Sequence, residues 1–200
     1  MNRRIVTMIA ALTLALPGIA ADKKMAAPAT PGAEMMAKMM KMTTPGADHQ
    51  LLSPLVGKWN ATVRMWMAPG AKAEESKGTS ETTWEYGGRF LKQVYKGDWN
   101  GQPFEGVGYT GFDIVRGEYE GIWIDSMSTG IMKSHGKLDP ATKVFKFEGT
   151  MSCPMTGEKE MWVRSELKIN SPDMNSYSTF SKGPDGKEMK NMEIVYTRIK

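Results

Sequence analysis

The stretch Gly57-Lys58-Trp59-Asn60-Ala61-Thr62-Val63-Arg64-Met65 decides the fold. Trp59, Ala61, Val63 and Met65 alternate with Asn60, Thr62 and Arg64, the period of a half-buried strand. The far end of the chain answers it with Met192, Ile194, Tyr196 and Arg198, which share one face of a closing run that ends Tyr196-Thr197-Arg198. Between these bookends the chain breaks about every 8 to 15 residues into segments with strand-like alternation, separated by Gly, Pro, Asn and Asp. The pattern predicts a closed antiparallel meander, whose first and last strands are neighbours. Trp59 and Arg198 are then expected to meet at the barrel floor, guanidinium over indole, as a structural closure.

Further strands are expected near 78–86 and 89–96, flanking a Gly87-Gly88 hairpin turn, then over 104–113, 118–125, 129–138, 143–151, 159–169, 175–182 and 188–199. With the first strand this makes about ten, and almost no helix. Gly106, Gly108 and Gly111 suggest bends or bulges where the wall curves sharply. A short helix is expected over 49–56, with His49, Leu52 and Leu55 on one face and Pro54 starting or kinking its last turn. In a barrel such a helix lies across one opening as a plug.

Residues 1–20 read as a secretory signal peptide. Arg3 and Arg4 are its charged start, Ile5 to Leu16 its apolar stretch, and Gly18-Ile19-Ala20 its small-residue cleavage site. A stretch of twelve residues is too short to span a bilayer comfortably. The expected location is exported, in a bacterial periplasm, with no membrane span in the mature chain. Loss of Arg3 and Arg4 lowers the formal charge from +4 to +2, a weak basis for a nucleic-acid partner, and none is expected. Cys153 is the sole cysteine, so the exported chain has no internal disulfide. Residues 21–48 form a Met-rich tether bracketed by Thr30-Pro31-Gly32-Ala33-Glu34 and Thr44-Pro45-Gly46-Ala47-Asp48, each a helix-start pattern. The barrel domain follows over 49–200.

Several motifs in that domain resemble a known family. They are His49-x-x-Leu52-x-x-Leu55-x-Gly57-x-Trp59, Gly87-Gly88-Arg89-Phe90, Pro103-Phe104-x-Gly106, Thr110-Gly111-Phe112-Asp113, Trp123-x-Asp125-Ser126, Met155-Thr156-Gly157 and the Tyr196-Thr197-Arg198 ending. Together they resemble the bacterial domain-of-unknown-function 1579 family, and the Gly-x-Trp and Thr-Arg ends look like the calycins, the lipocalins and fatty-acid-binding proteins. The resemblance implies a mainly β, single, closed, up-and-down, calycin-like barrel with an N-terminal plug helix. It implies no reaction.

No constellation for catalysis stands out. The chain has only two histidines, His49 and His135, no Gly-x-Ser-x-Gly elbow, no phosphate loop and no paired-Cys zinc pattern. A non-catalytic role is expected, with a small apolar or amphipathic molecule held in the barrel. The candidate wall is Trp84, Phe90, Phe104, Tyr109, Trp123, Met132, Phe145, Phe147 and Tyr196, with Arg89, Asp125, His135 and Arg164 as polar groups that orient the ligand. The bland reading of the same aromatics is a filled core. No cofactor is required. As an alternative, Met35, Met36, Met39, Met40 and Met42, with His49 nearby, offer soft thioethers suited to Cu(I). Met151, Cys153 and Met155 form a second sulfur-rich patch, on one face if the strand continues past Pro154. Haem with His135 as axial ligand is a weaker alternative, and a structural or partner-binding barrel a third class.

Overall fold

The structure, a computed structural model, describes residues 30–183 and 185–200. The expected signal peptide, 1–20, and the start of the expected tether, 21–29, lie outside the described residues. The first element is helix α1 (Pro31–Thr43), which Thr30 caps by accepting the Ala33 N–H, with Pro31 at its first position. No residue of α1 is buried. The short α2 (Ala47–Gln50) and a 3-10 turn (Ser53–Leu55) follow. The single helix expected over 49–56 is thus two short turns. Pro54 lacks the N–H that an uninterrupted α-helix would use, and it sits at the start of the 3-10 turn.

The ten strands are β1 (Gly57–Met65), β2 (Glu74–Glu85), β3 (Phe90–Trp99), β4 (Gln102–Asp113), β5 (Glu118–Asp125), β6 (Met132–Asp139), β7 (Val144–Met151), β8 (Met161–Ser171), β9 (Met174–Lys182) and β10 (Glu188–Arg198). They form one closed antiparallel barrel, each strand paired with its sequence neighbours and β1 with β10. The register sets Trp59 opposite Arg198 on one side and Ser80 on the other. It shifts only at Lys190/Met192 and Ile169/Ser171 among the described pairs. Of the bends or bulges expected at Gly106, Gly108 and Gly111, the bulges are not there, since β4 pairs without a shift on both edges. Those glycines instead clear space for rings. A Cβ at Gly106 would strike the Trp123 indole, and one at Gly111 would meet the Phe90 ring at 2.5 Å. Nor does β7 run on past Pro154. It ends at Met151, and the chain turns through 154–156, so Met151, Cys153 and Met155 do not share a strand face.

One barrel end is filled. Leu52 from the plug enters it and packs with Leu91, Tyr119, Phe145 and Phe147, with Trp84, Phe112, Leu138 and Leu167 around them. The chain ends meet at that same end. The Arg198 guanidinium lies 4.0 Å from the Trp59 ring centroid. Its Nη1 donates to the Val56 carbonyl at 2.8 Å, Nη2 to Pro54 at 2.9 Å and Nε to Pro172 at 2.8 Å. The Trp59 indole N–H donates to the Leu55 carbonyl at 2.9 Å. Gly57, at φ +132°, leaves room for the guanidinium, because any Cβ there would strike Nη1. No helix among the described residues is long and apolar enough to cross a membrane.

Lysine at 198 would keep the charge but lose the planar fork that reaches three carbonyls at once. Arg198→Lys is expected to lower stability by about 1.5–3 kcal/mol, the range for hydrogen bonds to a charged group. Urea unfolding of the wild type and the variant checks this.

Candidate functional site

Side chains alternate along every strand, so the lumen-facing set follows from register. At the plugged end Leu52, Leu91, Tyr119, Phe145 and Phe147 are fully buried, with Trp84, Phe112, Leu138 and Leu167 half-buried around them. A second cluster, the buried Trp59, Ala61, Val63, Tyr95, Ile194 and Tyr196, runs from the floor toward the opposite end, where Met65, Phe104, Trp123 and Met192 pack against it only partly buried. Met132, Met151 and Met161, at the same end, are also half-buried. Leu52 and the aromatic floor close one end of the barrel, and the inward side chains at the mouth are half-buried.

Polar groups run through the middle of the lumen. Gln93 donates to the Ser80 hydroxyl at 3.0 Å and lies against the Tyr196 hydroxyl, whose titration is pushed upward by burial. Asn191 donates to Ser181 at 2.9 Å and accepts from Thr179. Tyr177 hydrogen-bonds with Ser165, and burial raises its titration as well. Among the described residues no buried side-chain nitrogen or oxygen lacks a partner. These groups are satisfied by one another, so the lumen carries polarity without charge. Sequence reading missed this belt. Ser80, Thr82, Gln93, Ser165 and Thr179 are polar at inward positions, where alternation alone assigns polar residues outward.

The residues expected to hold a ligand fall into three places. Phe104, Trp123 and Asp125 are at the mouth. The Trp123 ring lies flat on Gly106 and Gly108, and its indole N–H donates to Asp125 at 2.8 Å. The other Asp125 oxygen accepts the Met127 N–H at 2.9 Å. Trp84, Phe145 and Phe147 belong to the filled end, and Tyr196 is buried in the middle. The remainder do not face the lumen, which corrects their assignment to the wall. Phe90, Tyr109 and His135 come together outside the barrel, in a groove of about 480 Å³ with Arg116, Glu120, Ile122 and Lys133. Their parity on β3, β4 and β6 is opposite to that of the core residues Leu91, Gly108 and Leu138. Arg164 also points outward, paired with Glu166 and Glu188 and stacked 3.8 Å over Phe180. Arg89 is an exposed turn residue donating to the Tyr86 carbonyl. With His135 exposed on the outer wall, it cannot be the axial ligand of a haem in the lumen.

The methionines of the tether and His49 also separate. Met35, Met36, Met39 and Met40 stand free on α1, Met35 at 72% exposure. His49 is 4% exposed within the plug. Its Nδ1 accepts the Gly46 N–H at 3.2 Å, and its ring meets Phe112 edge-on at 5.9 Å. It thus caps α2 through Nδ1. Phe112, Tyr119 and Phe145 continue the edge-to-face series at 4.9 and 5.0 Å, and the Tyr119 hydroxyl donates to the Asp48 carbonyl at 3.0 Å. Burial pushes the Tyr119 hydroxyl up to about 12.

A second cleft, of about 410 Å³, opens at the mouth between the β5–β6 and β7–β8 loops. Ser126, Ser128, Thr129, Ser152 and Cys153 line it. Hydrogen bonds from the Thr156 hydroxyl and backbone hold the Cys153 thiol below its ordinary titration.

The sequence profile described as "Protein of unknown function (DUF1579)" matches residues 44–198. No curated protein matches the chain. Among solved structures, Rv2717c from M. tuberculosis aligns at 18% identity and TM-score 0.59, over 78% of this chain and 100% of that one. The S-type phycobiliprotein lyase CPES from Guillardia theta aligns at 11% identity and TM-score 0.53, over 78% and 94%. At these identities the likeness is one of fold.

His49 carries a pH prediction. Desolvation, the largest cause, lowers its pKa from 6.5 despite the Asp48 charge. The unfolded chain therefore binds a proton at a pH where the folded chain does not. Stability falls as pH drops from about 6.5 toward the lowered folded value. His49→Gln keeps an acceptor for the Gly46 N–H, as Gln does at this helix position. Between pH 7.5 and 5.5 (about one unit either side of His titration) the variant is expected to lose less melting temperature than the wild type.

Proposed function

The chain belongs to the DUF1579 family, whose description names no activity, and we propose that it is a non-catalytic binding protein holding a small, partly apolar molecule in the barrel mouth. The observation that carries this reading is the contrast along the lumen. Inward-facing Phe104, Trp123, Met132 and Met151 at the mouth are half-buried, whereas Leu52, Leu91, Tyr119 and Phe145 at the centre of the other end are fully buried. A ligand entering the mouth would remove that remaining apolar surface from water, the main driving force for such binding.

The polar belt beneath supports a partly apolar ligand. Gln93, Tyr196 and Asn191 line it with hydroxyl and amide groups without a net charge, an environment suited to a neutral, partly apolar molecule. The placement of the histidines supports a non-catalytic role. His49 is locked in the plug and His135 lies on the outer wall, so neither faces the mouth. Asp125 is occupied by Trp123 and Met127, which makes it a strut for the indole. The leader-like pattern of residues 1–20 supports export to the periplasm.

The uncharged fluorophore N-phenyl-1-naphthylamine tests the reading on the full chain. Saturable one-to-one binding is expected. Trp123→Ala should weaken it by about ten-fold, corresponding to about 1.4 kcal/mol of lost contact. Phe90→Ala, in the outer groove, should leave it unchanged. Absence of saturable binding, or equal loss in Phe90→Ala, would overturn the proposal.

A further inference from the structure

Nine of the ten methionines after residue 44 cluster at the open end of the barrel, in or beside the strand ends at the mouth, and only Met174 is at the plugged end. The plugged end is filled with Leu, Phe and Tyr. Methionine used only as an adaptable filler would serve both ends alike. The register arranges three of the nine in one row. Trp123 pairs with Met132 across β5 and β6, and Met151 pairs with Met161 across β7 and β8. The β6–β7 register, which pairs Lys133 with Thr150, brings Met132 beside Met151 at the next step. Directly paired residues point to the same side of a sheet, and this side is the lumen, as Phe145 and Phe147 on β7 show. Neighbouring strands are about 4.8 Å apart, so three flexible thioethers on consecutive strands can converge on one ion, with Met151 in the middle.

We propose that Met132, Met151 and Met161 form a three-thioether site for Cu(I) on one wall of the barrel mouth. Thioethers are soft, uncharged ligands that suit this monovalent cation and serve hard cations poorly. Among the described residues no three His, Cys, Asp or Glu come together to hold a metal, so the row has no harder competitor within the barrel. The three side chains are half-buried, within reach of an entering ion yet partly shielded from water. Trp123 ends the row with an aromatic face, favourable to a cation. The site is distinct from the exposed methionines of α1, which the chain joins to the opposite, plugged end.

The full chain is titrated with Cu(I), kept reduced by ascorbate, against the chelator bicinchoninate. The wild type is expected to withdraw copper from the chelator. Met132→Leu/Met151→Leu/Met161→Leu, which keeps apolar volume, should lose this uptake, and Met151→Leu alone should weaken it by about ten-fold or more. Loss of a direct ligand should cost no less than loss of an outer partner, about 10–100-fold. Leucine at Met35, Met36, Met39, Met40 and Met42 together should not abolish it. In wild-type protein carrying 13C-methyl methionine, Ag(I), a redox-inert stand-in, should shift the Met132, Met151 and Met161 methyl signals. This second measurement decides the matter even if the triple variant fails to fold. No competition by the wild type, uptake retained by a folded triple variant, or Ag(I) shifts confined to α1 would each overturn the site. No organic probe enters the titration, so its failure would leave the apolar-ligand reading standing.

Discussion

The barrel depends on one closure. β1 and β10 are the two strands of the barrel furthest apart in sequence, and bringing them together costs the most chain entropy of any pair. Arg198 offsets that cost at one place. Its guanidinium stacks on Trp59 and donates to carbonyls at 54, 56 and 172, so it ties the last strand, the first strand, the plug turn and the β8–β9 turn together. Those carbonyls lie where helix and strand leave backbone acceptors without ladder partners, and the cation satisfies them. Gly57 is the matching concession in the chain, since only a residue without Cβ leaves room for Nη1.

This closure makes the two ends of the barrel unequal. Because the plug turn is held by the Arg198 fork and the Trp59 indole N–H, Leu52 sits inside the barrel and the aromatic series from His49 to Phe145 can assemble around it. That end is then a conventional packed hydrophobic core. Among the described residues the other end has no such plug. Its inward residues are larger than the space requires only where glycine makes room, as Gly106 and Gly108 do for Trp123. The functional asymmetry of the molecule, a sealed floor and a soft, sulfur-rich mouth, follows from where the chain ends meet.

Much of this was legible in the residues. Alternation in 59–65 and 192–198, punctuated segments between them and the spacing of Gly, Pro and Asp turns point to a ten-strand meander, and the strands agree with it to within a few residues at most ends. Individual sites were harder to read. His135 and Phe90 look like lumen residues because an aromatic in a strand is usually inward, yet each lies one register step from the core set. A one-residue difference in parity moves a side chain to the opposite face. Outside, Phe90 covers Gly111 and Arg164 covers Phe180, so the outer wall has its own apolar contacts that mimic a core pattern.

The sequence by itself determined the fold class, the number and order of strands, and the family, because these rest on local periodicity and turn chemistry that each segment carries alone. Tertiary structure alone decided which side chains share a place. Met132, Met151 and Met161 are 19 and 10 residues apart along the chain and become adjacent only through the β6–β7–β8 register. The Gln93–Tyr196 contact likewise joins strands from opposite halves of the chain. Proximity of that kind is set by strand pairing around a closed barrel, and no single segment of the chain contains it.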